Sequence, residues 1–102
     1  MPLKVAAFYQ FAALPDFRAL REPLRTLCAA LGLKGSILLA HEGINGTIAG
    51  TDEDIAAFVE ALQHSDLFGG RLDHLELKYS TADAMPFQRL KVRLKTLIES
   101  RG

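Results

Sequence analysis

The sequence predicts a small α+β domain in which two helices cover one face of an antiparallel sheet. Three observations support this prediction: short apolar runs alternate with segments of helical periodicity, a glycine-rich reversal joins the two central runs, and the chain has only 102 residues. A domain of this length buries about two-thirds of the surface of its unfolded chain. It therefore has room for one core.

A strand followed by a helix is predicted in the first third of the chain. Residues 5–11, VAAFYQF, form an apolar run typical of a buried strand. Asp16 and Gly32 are then placed to cap and to end a helix. Pro23 would either kink that helix or begin its main segment as a first-turn proline, and we favour the second. The apolar residues of the helix recur at spacings of three and four: Phe17, Leu20, Leu24, Leu27, Cys28 and Leu31.

The most distinctive stretch is AHEGINGTI at residues 40–48, which lies between two strand-like runs. Gly43 and Gly46 accept positive φ without steric cost. We therefore predict a tight hairpin and expect both glycines to lie outside the β region. Ordinary turn chemistry accounts for the segment about as well as a functional role does. Three polar side chains would lie at the hairpin tip: His41, Glu42 and Asn45.

A second helix and a further strand follow the hairpin. Thr51 can cap the helix, and acids in residues 52–54 suit the positive end of its dipole. Residues 69–70 are a Gly-Gly turn, and residues 75–79 alternate between apolar and polar as in a half-buried strand. The order is then βαββαβ. Right-handed crossovers turn this order into a ferredoxin-like sandwich with both helices on one face. The buried stripe of the second helix is Ile55, Phe58, Val59 and Leu62.

The charges are uneven along the chain although the net charge is zero. Residues 86–102 carry five basic side chains and one acid, net +4, which leaves −4 for the rest.

We predict a loop at residues 80–86, a domain boundary near residue 84, and a basic strand or linker at 85–102. If that segment is extended, its alternating cations share one face at a spacing of about 6.5–7 Å, which suits phosphate contacts. If it is helical, the row is lost. Alternatively, the cations protect an edge strand against aggregation or belong to a solvated linker. The RNA-binding candidates are Lys78, Arg89, Lys91, Arg93 and Lys95.

Other chemistry has little support in the sequence. The lone Cys28 lies among leucines, where a buried thiol is more plausible than a nucleophile. No His, Cys or acid stands at ligand spacing from His64 or His74, so we expect no metal and no cofactor in this chain. Tyr9 and Phe11 share a strand face, where core packing is the first interpretation and stacking on a base the second. Without a membrane span or a signal peptide, we expect a cytoplasmic protein.

Three stretches together resemble a known family. Residues 40–48 are similar to a signature of the N-terminal domain of bacterial tRNA uridine hydroxylases that carry a rhodanese domain. Residues 5–11 resemble the opening strand of that domain, and residues 85–93, MPFQRLKVR, resemble its exit. The resemblance implies an acylphosphatase-like version of the ferredoxin-like fold, tRNA as a partner, and a rhodanese-like domain in cis that holds the catalytic cysteine. The isolated chain is then expected to be inactive, with no catalytic residue of its own.

Three functions remain open at this stage. The first is an RNA-binding or substrate-positioning domain of a tRNA-modifying enzyme that forms 5-hydroxyuridine at the wobble position. The second is an acylphosphatase-type hydrolase, which needs a phosphate cradle after the first strand. Residues 12–16 read AALPD there, with an acid and neither glycine nor arginine, so this function is disfavoured. The third is a regulatory or protein-interaction module.

Overall fold

Five strands form one sheet in the computed structural model, which describes residues 2–95. The strand order is β4-β1-β3-β2-β5, antiparallel throughout except for the parallel pair β2 and β5. This arrangement confirms the predicted ferredoxin-like α+β fold and adds a fifth strand at its edge. The elements are β1 (Leu3–Phe11), α1 (Phe17–Ala30), β2 (Lys34–Ala40), β3 (Gly43–Gly50), α2 (Asp52–His64), β4 (Glu76–Ala82) and β5 (Leu90–Leu94).

Helix α1 differs from the prediction at two residues. It continues through Pro23 instead of beginning there. The proline is exposed, and burial of Leu20, Leu24 and Cys28 on the other side of the helix offsets the missing backbone hydrogen bond. Asp16 occupies the N-cap position, but its side chain makes no capping hydrogen bond. The predicted end is confirmed: Gly32 has a φ of +66°.

Helix α2 begins as predicted. The hydroxyl oxygen of Thr51 accepts a hydrogen bond from the backbone N–H of Asp54 at 3.1 Å, and three acids occupy the first turn. The turn after the helix is also confirmed, since Gly69 and Gly70 both have positive φ. Strand β4 extends to Ala82, so the first part of the predicted loop at residues 80–86 is strand instead.

The central hairpin is tighter than the sequence suggested. Ala40 pairs with Gly43, so only His41 and Glu42 form the tip. Asn45 lies within β3, and its predicted place at the tip is wrong. Gly43 has the expected positive φ, +154°, but the expectation for Gly46 is wrong because that residue has no positive φ. Both glycines belong to β3 because cross-strand pairing extends up to the two-residue turn.

The core lies between the helices and one face of the sheet, which we call the covered face. There Phe8 of β1 meets Phe58 of α2 with ring centroids 5.4 Å apart. Val92 of β5 is buried on the same side, and β5 packs against α1. Among the described residues, no buried side-chain nitrogen or oxygen lacks a hydrogen-bond partner. The buried side chains of the described residues are all apolar, and on this face they fix the positions of the strands.

Candidate functional site

The opposite face of the sheet, which we call the open face, carries no helix within residues 2–95. Along its middle the cross-strand neighbours are small: Ala7 of β1 pairs with Thr47 of β3, which pairs with Ser36 of β2. These short side chains leave a groove of about 900 Å³ on the sheet surface. The connection from β4 to β5 must pass from one sheet edge to the other, and its Phe87 also lines the groove.

Two aromatic side chains stand at one end of this groove. Tyr9 is 48% exposed and Phe11 is 79% exposed. Their rings meet edge to face with centroids 6.2 Å apart, and the Tyr9 hydroxyl donates to a carboxylate oxygen of Glu76 at 3.2 Å. Phe11 pairs with Gly43, so no side chain on β3 covers its ring. Strand alternation had placed both aromatics on one face, and that face proves to be the exposed one.

Asn45 joins these aromatics on the open face. It is exposed and pairs with Tyr9 on one side and with Leu38 on the other. The sequence had placed this amide at the hairpin tip. Its actual position puts a group that can both donate and accept hydrogen bonds beside an exposed phenol ring.

The cations of β5 lie along one edge of the open face. The segment is extended, and the register places Lys91 beside Ser36 and Arg93 beside Leu38. Both cations are exposed, and no carboxylate of the described chain lies within 4.0 Å of either. Arg89, just before the strand, is also exposed. Of the basic residues counted in the C-terminal segment, Arg101 lies outside the described residues.

The last cation of the row contacts the hairpin tip. The ammonium nitrogen of Lys95 lies 3.2 Å from a carboxylate oxygen of Glu42. The other Glu42 oxygen is 3.9 Å from Nδ1 of His41. All three side chains are substantially exposed, so this chain of charges fixes geometry more than it adds stability. Glu42 partly offsets the positive charge at this end of the row.

Lys78 lies on the opposite edge of the same face. It belongs to β4, pairs with Ala7 and is exposed. Four inter-strand spacings separate β4 from β5, a distance of about 19 Å. Lys78 therefore does not extend the β5 row, as a flanking contact would. It faces that row across the groove.

The sequence interpretation missed two basic residues at this edge. Lys34 is exposed on the open face of β2, one strand inward from β5. Arg21 reaches from α1 to the outer side of β5, where its Nε donates to the carbonyl oxygen of Val92 at 2.7 Å. Residue alternation along β2 could have identified Lys34. Nothing local indicates Arg21, because its partner is 71 residues away.

The turn after β1 is occupied by other interactions. The backbone N–H groups of Ala12 and Leu14 donate to the carbonyl oxygens of Glu42 and His41, at 3.0 and 2.8 Å. These two amides are therefore unavailable to a phosphate. At the same turn, Arg71 makes two hydrogen bonds to Asp16, at 2.6 and 3.1 Å, and this guanidinium lowers the pKa of the Asp16 carboxyl. The arrangement argues against an acylphosphatase-type site.

Cys28 is fully buried, and burial raises the pKa of its thiol to about 12, so it stays protonated and unreactive. Within residues 2–95, no three His, Cys, Asp or Glu side chains cluster as a metal site would require. None of the helices described is both long and apolar enough to pass through a bilayer.

The sequence matches a known family over most of its length. Residues 3–98 match the family model described as the UPF0176 acylphosphatase like domain. The chain is 71% identical over 99 residues to the tRNA uridine(34) hydroxylase of Bradyrhizobium diazoefficiens and 69% identical over 100 residues to that of Nitrobacter winogradskyi. These alignments cover 97% and 98% of this chain but 39% of each relative. The chain thus spans about two-fifths of the length of these relatives.

Solved structures share the fold at low sequence identity. The dark-state structure of the BLUF protein BlrB superposes with a TM-score of 0.71 at 14% identity, covering 98% of this chain and 76% of that one. The acylphosphatase from Bacillus subtilis superposes with a TM-score of 0.62 at 12% identity, covering 88% and 97%. At such identities the likeness concerns the fold alone.

Proposed function

The chain belongs to the UPF0176 acylphosphatase like domain family, and on that premise we propose that it is the tRNA-binding, substrate-positioning domain of a tRNA uridine hydroxylase. The high identity to relatives of that name supports the enzyme assignment. The chemistry would reside in the part of the protein beyond this chain, a rhodanese-like domain in cis. This chain would hold and orient the RNA, without a cofactor of its own.

The observation that carries the RNA-binding role is the row of cations on β5. Lys91 and Arg93 project from one strand face while their apolar neighbours hold the strand against α1. Adjacent cations on one face are about 6.5–7 Å apart, close to the spacing of phosphates along a nucleic acid strand. Because neither lies within 4.0 Å of a carboxylate of the described chain, both are available to an anion.

The test is a tRNA titration with the complete enzyme at several salt concentrations. We expect Lys91→Glu/Arg93→Glu to weaken binding strongly and to reduce the salt slope by about 0.9 per lost contact on a duplex stem. Arg18→Glu/Arg25→Glu is the matched control, since it reverses two exposed cations on α1, outside the open face. Circular dichroism of all variants verifies that they are folded.

Equal affinity and equal salt slope in wild type and the β5 variant would refute the role of the row. The same loss in the α1 control would mean that net charge, not this surface, governs binding. If tRNA binds normally but hydroxylation requires contact of this surface with another protein, the domain is a protein-interaction module instead.

A further inference from the structure

The open face contains features that phosphate binding does not use. Exposing the aromatic rings of Tyr9 and Phe11 to water costs free energy, and neither ring is fully buried in the core. A domain that needed only a positive edge would have no use for exposed aromatics between β4 and β5. We infer that the open face binds unpaired RNA nucleotides, with the two rings stacking on bases.

The shape of the face suits flat ligands. Phe11 has Gly43 as its cross-strand neighbour, and the next residue across is Ala40. No larger side chain from β3 or β2 fills the space beside the ring at this end. The hydroxyl of Tyr9 donates to a carboxylate oxygen of Glu76, which favours the ring orientation seen here. Exposed, preoriented aromatics on a sheet are the platform on which single-stranded RNA stacks.

The cations at the two edges of the open face favour an anionic occupant. Lys78 and Lys95 line the groove together with Glu42 and Glu76. Lys91 and Arg93 lie next to it, on the β5 edge of the open face. The strands β4 and β5, which carry Lys78 and the cation row, are about 19 Å apart, a distance that corresponds to a few nucleotides of extended chain. Bases on the aromatics would thus have their phosphates directed toward cations on both sides. An apolar protein segment would satisfy the rings but leave these cations without partners.

Asn45 is the residue placed to contact a base edge. Its exposed amide lies between Tyr9 and Leu38 on the sheet. An amide donates and accepts at once, so it can pair with two adjacent polar atoms of one base. We assign stacking to Tyr9 and Phe11, edge recognition to Asn45, and phosphate contacts to Lys78 and the β5 cations.

This inference rests on the proposed function but extends it, so its test must separate the two. The probes are a short fluorescent oligouridylate and an RNA duplex of similar charge, each titrated against the full-length protein. We expect Tyr9→Ala and Phe11→Ala to weaken oligouridylate binding about five- to one-hundred-fold each. Duplex binding and the salt slope should stay as in wild type, because no phosphate contact is lost. Phe11→Trp should retain binding.

Tyr79→Ala is the matched control. Tyr79 is also an exposed aromatic, 51% exposed, but it pairs with Ala6 on the covered-face side of β4 and contacts Lys4. Its loss should leave oligouridylate affinity unchanged. Asn45→Ala should narrow the difference in affinity between oligouridylate and oligoadenylate, whereas a structural role would lower both equally.

The outcomes distinguish the two proposals. If charge reversal on β5 weakens tRNA binding while Tyr9→Ala and Phe11→Ala leave oligouridylate binding unchanged, the row binds RNA and the stacking platform is refuted. If the aromatic variants leave RNA affinity intact but lower the melting temperature of the full-length protein, the open face is covered by the rest of the chain, and the inference is wrong. If no variant changes the affinity for any RNA probe, both proposals are wrong.

Discussion

On the covered face of the sheet, β1 buries Ala6 and Phe8, whereas the residues next to them in the same strand, Ala7 and Tyr9, face solvent. Both faces are built from the same strands, and the apolar side chains of one face hold the two helices against it. The buried part of the covered face is apolar. The open face combines small, aromatic and charged residues, which contribute little to the core. Under the proposed function, stability and binding would depend on alternate residues of the same strands.

Truncating one ring on each face is the strongest test of whether the two faces differ in their contribution to stability. Phe58→Ala removes a fully buried ring that packs on Phe8, and we expect a loss of about 3–5 kcal/mol in the free energy of unfolding. Phe11→Ala removes an exposed ring and should cost about 0.5 kcal/mol or less. Urea denaturation of the two variants measures both values. Comparable losses would show that the open face is part of the core.

Two glycines of β3 provide a second test of the two faces. A side chain added at Gly43 would point to the open face, and one added at Gly46 would point to the covered face. A Cβ at Gly43 would collide with the carbonyl oxygen of Gln10. A Cβ at Gly46 would lie 2.6 Å from the Ser36 carbonyl oxygen and 3.0 Å from the Phe8 ring. We expect each alanine variant to lose about 1–3 kcal/mol, by backbone strain at Gly43 and overpacking at Gly46.

Gly69→Ala is the control for the glycine pair. Its φ is +58°, and an added Cβ would meet no atom within 4 Å, so only conformational strain of about 1 kcal/mol remains. Thermal unfolding ranks the three variants. If Gly46→Ala proves as stable as wild type, the close approach of β2 and β3 is wrong.

A change of pH should have an intermediate effect on stability, through the ion pair at the turn after β1. The hydrogen bond from Arg71 lowers the Asp16 pKa below its ordinary value of 3.8. The pair therefore stabilises the fold above that pH, and this contribution disappears as the pH falls through the lowered pKa. Asp16→Asn should flatten the pH dependence of stability below about pH 4, as measured by denaturation at neutral and acidic pH. Glu60→Gln, which replaces an exposed carboxyl on α2 away from this turn, is the control variant.

The smallest expected effect concerns Glu42. Its carboxylate lies 3.2 Å from the ammonium nitrogen of Lys95 at the end of the β5 row. Glu42→Gln should change stability by about 0.5 kcal/mol or less. It should raise RNA affinity about two- to five-fold at low salt, with the gain vanishing at high salt. A loss of affinity would show instead that Glu42 orients Lys95 for its contact.

Period-two alternation accounts for what the sequence predicted well. It correctly placed Lys91 and Arg93 on one side of β5, and the cap at Thr51 followed from local chemistry alone. These features depend on residues within a few positions of one another. The same local logic could also have included Lys34.

Features that depend on distant partners were missed or misplaced. Asn45 was assigned to the tip because the glycines around it suit a turn, but pairing with β1 and β2 draws it into the sheet. Pro23 was expected to begin a helix, yet the buried side of α1 outweighs its intrinsic preference. Asp16 caps nothing locally because Arg71, 55 residues away, binds its carboxylate.

The two backbone hydrogen bonds between the turn after β1 and the hairpin tip affect how fast a ligand can bind. Because Ala12 and Leu14 donate to the tip carbonyls, tip and turn move as one unit, and both amides should resist hydrogen exchange. A ligand arriving at the Phe11 end of the sheet meets a surface that needs no ordering. Its association rate should then follow electrostatic attraction and diffusion, without a slow step of loop closure.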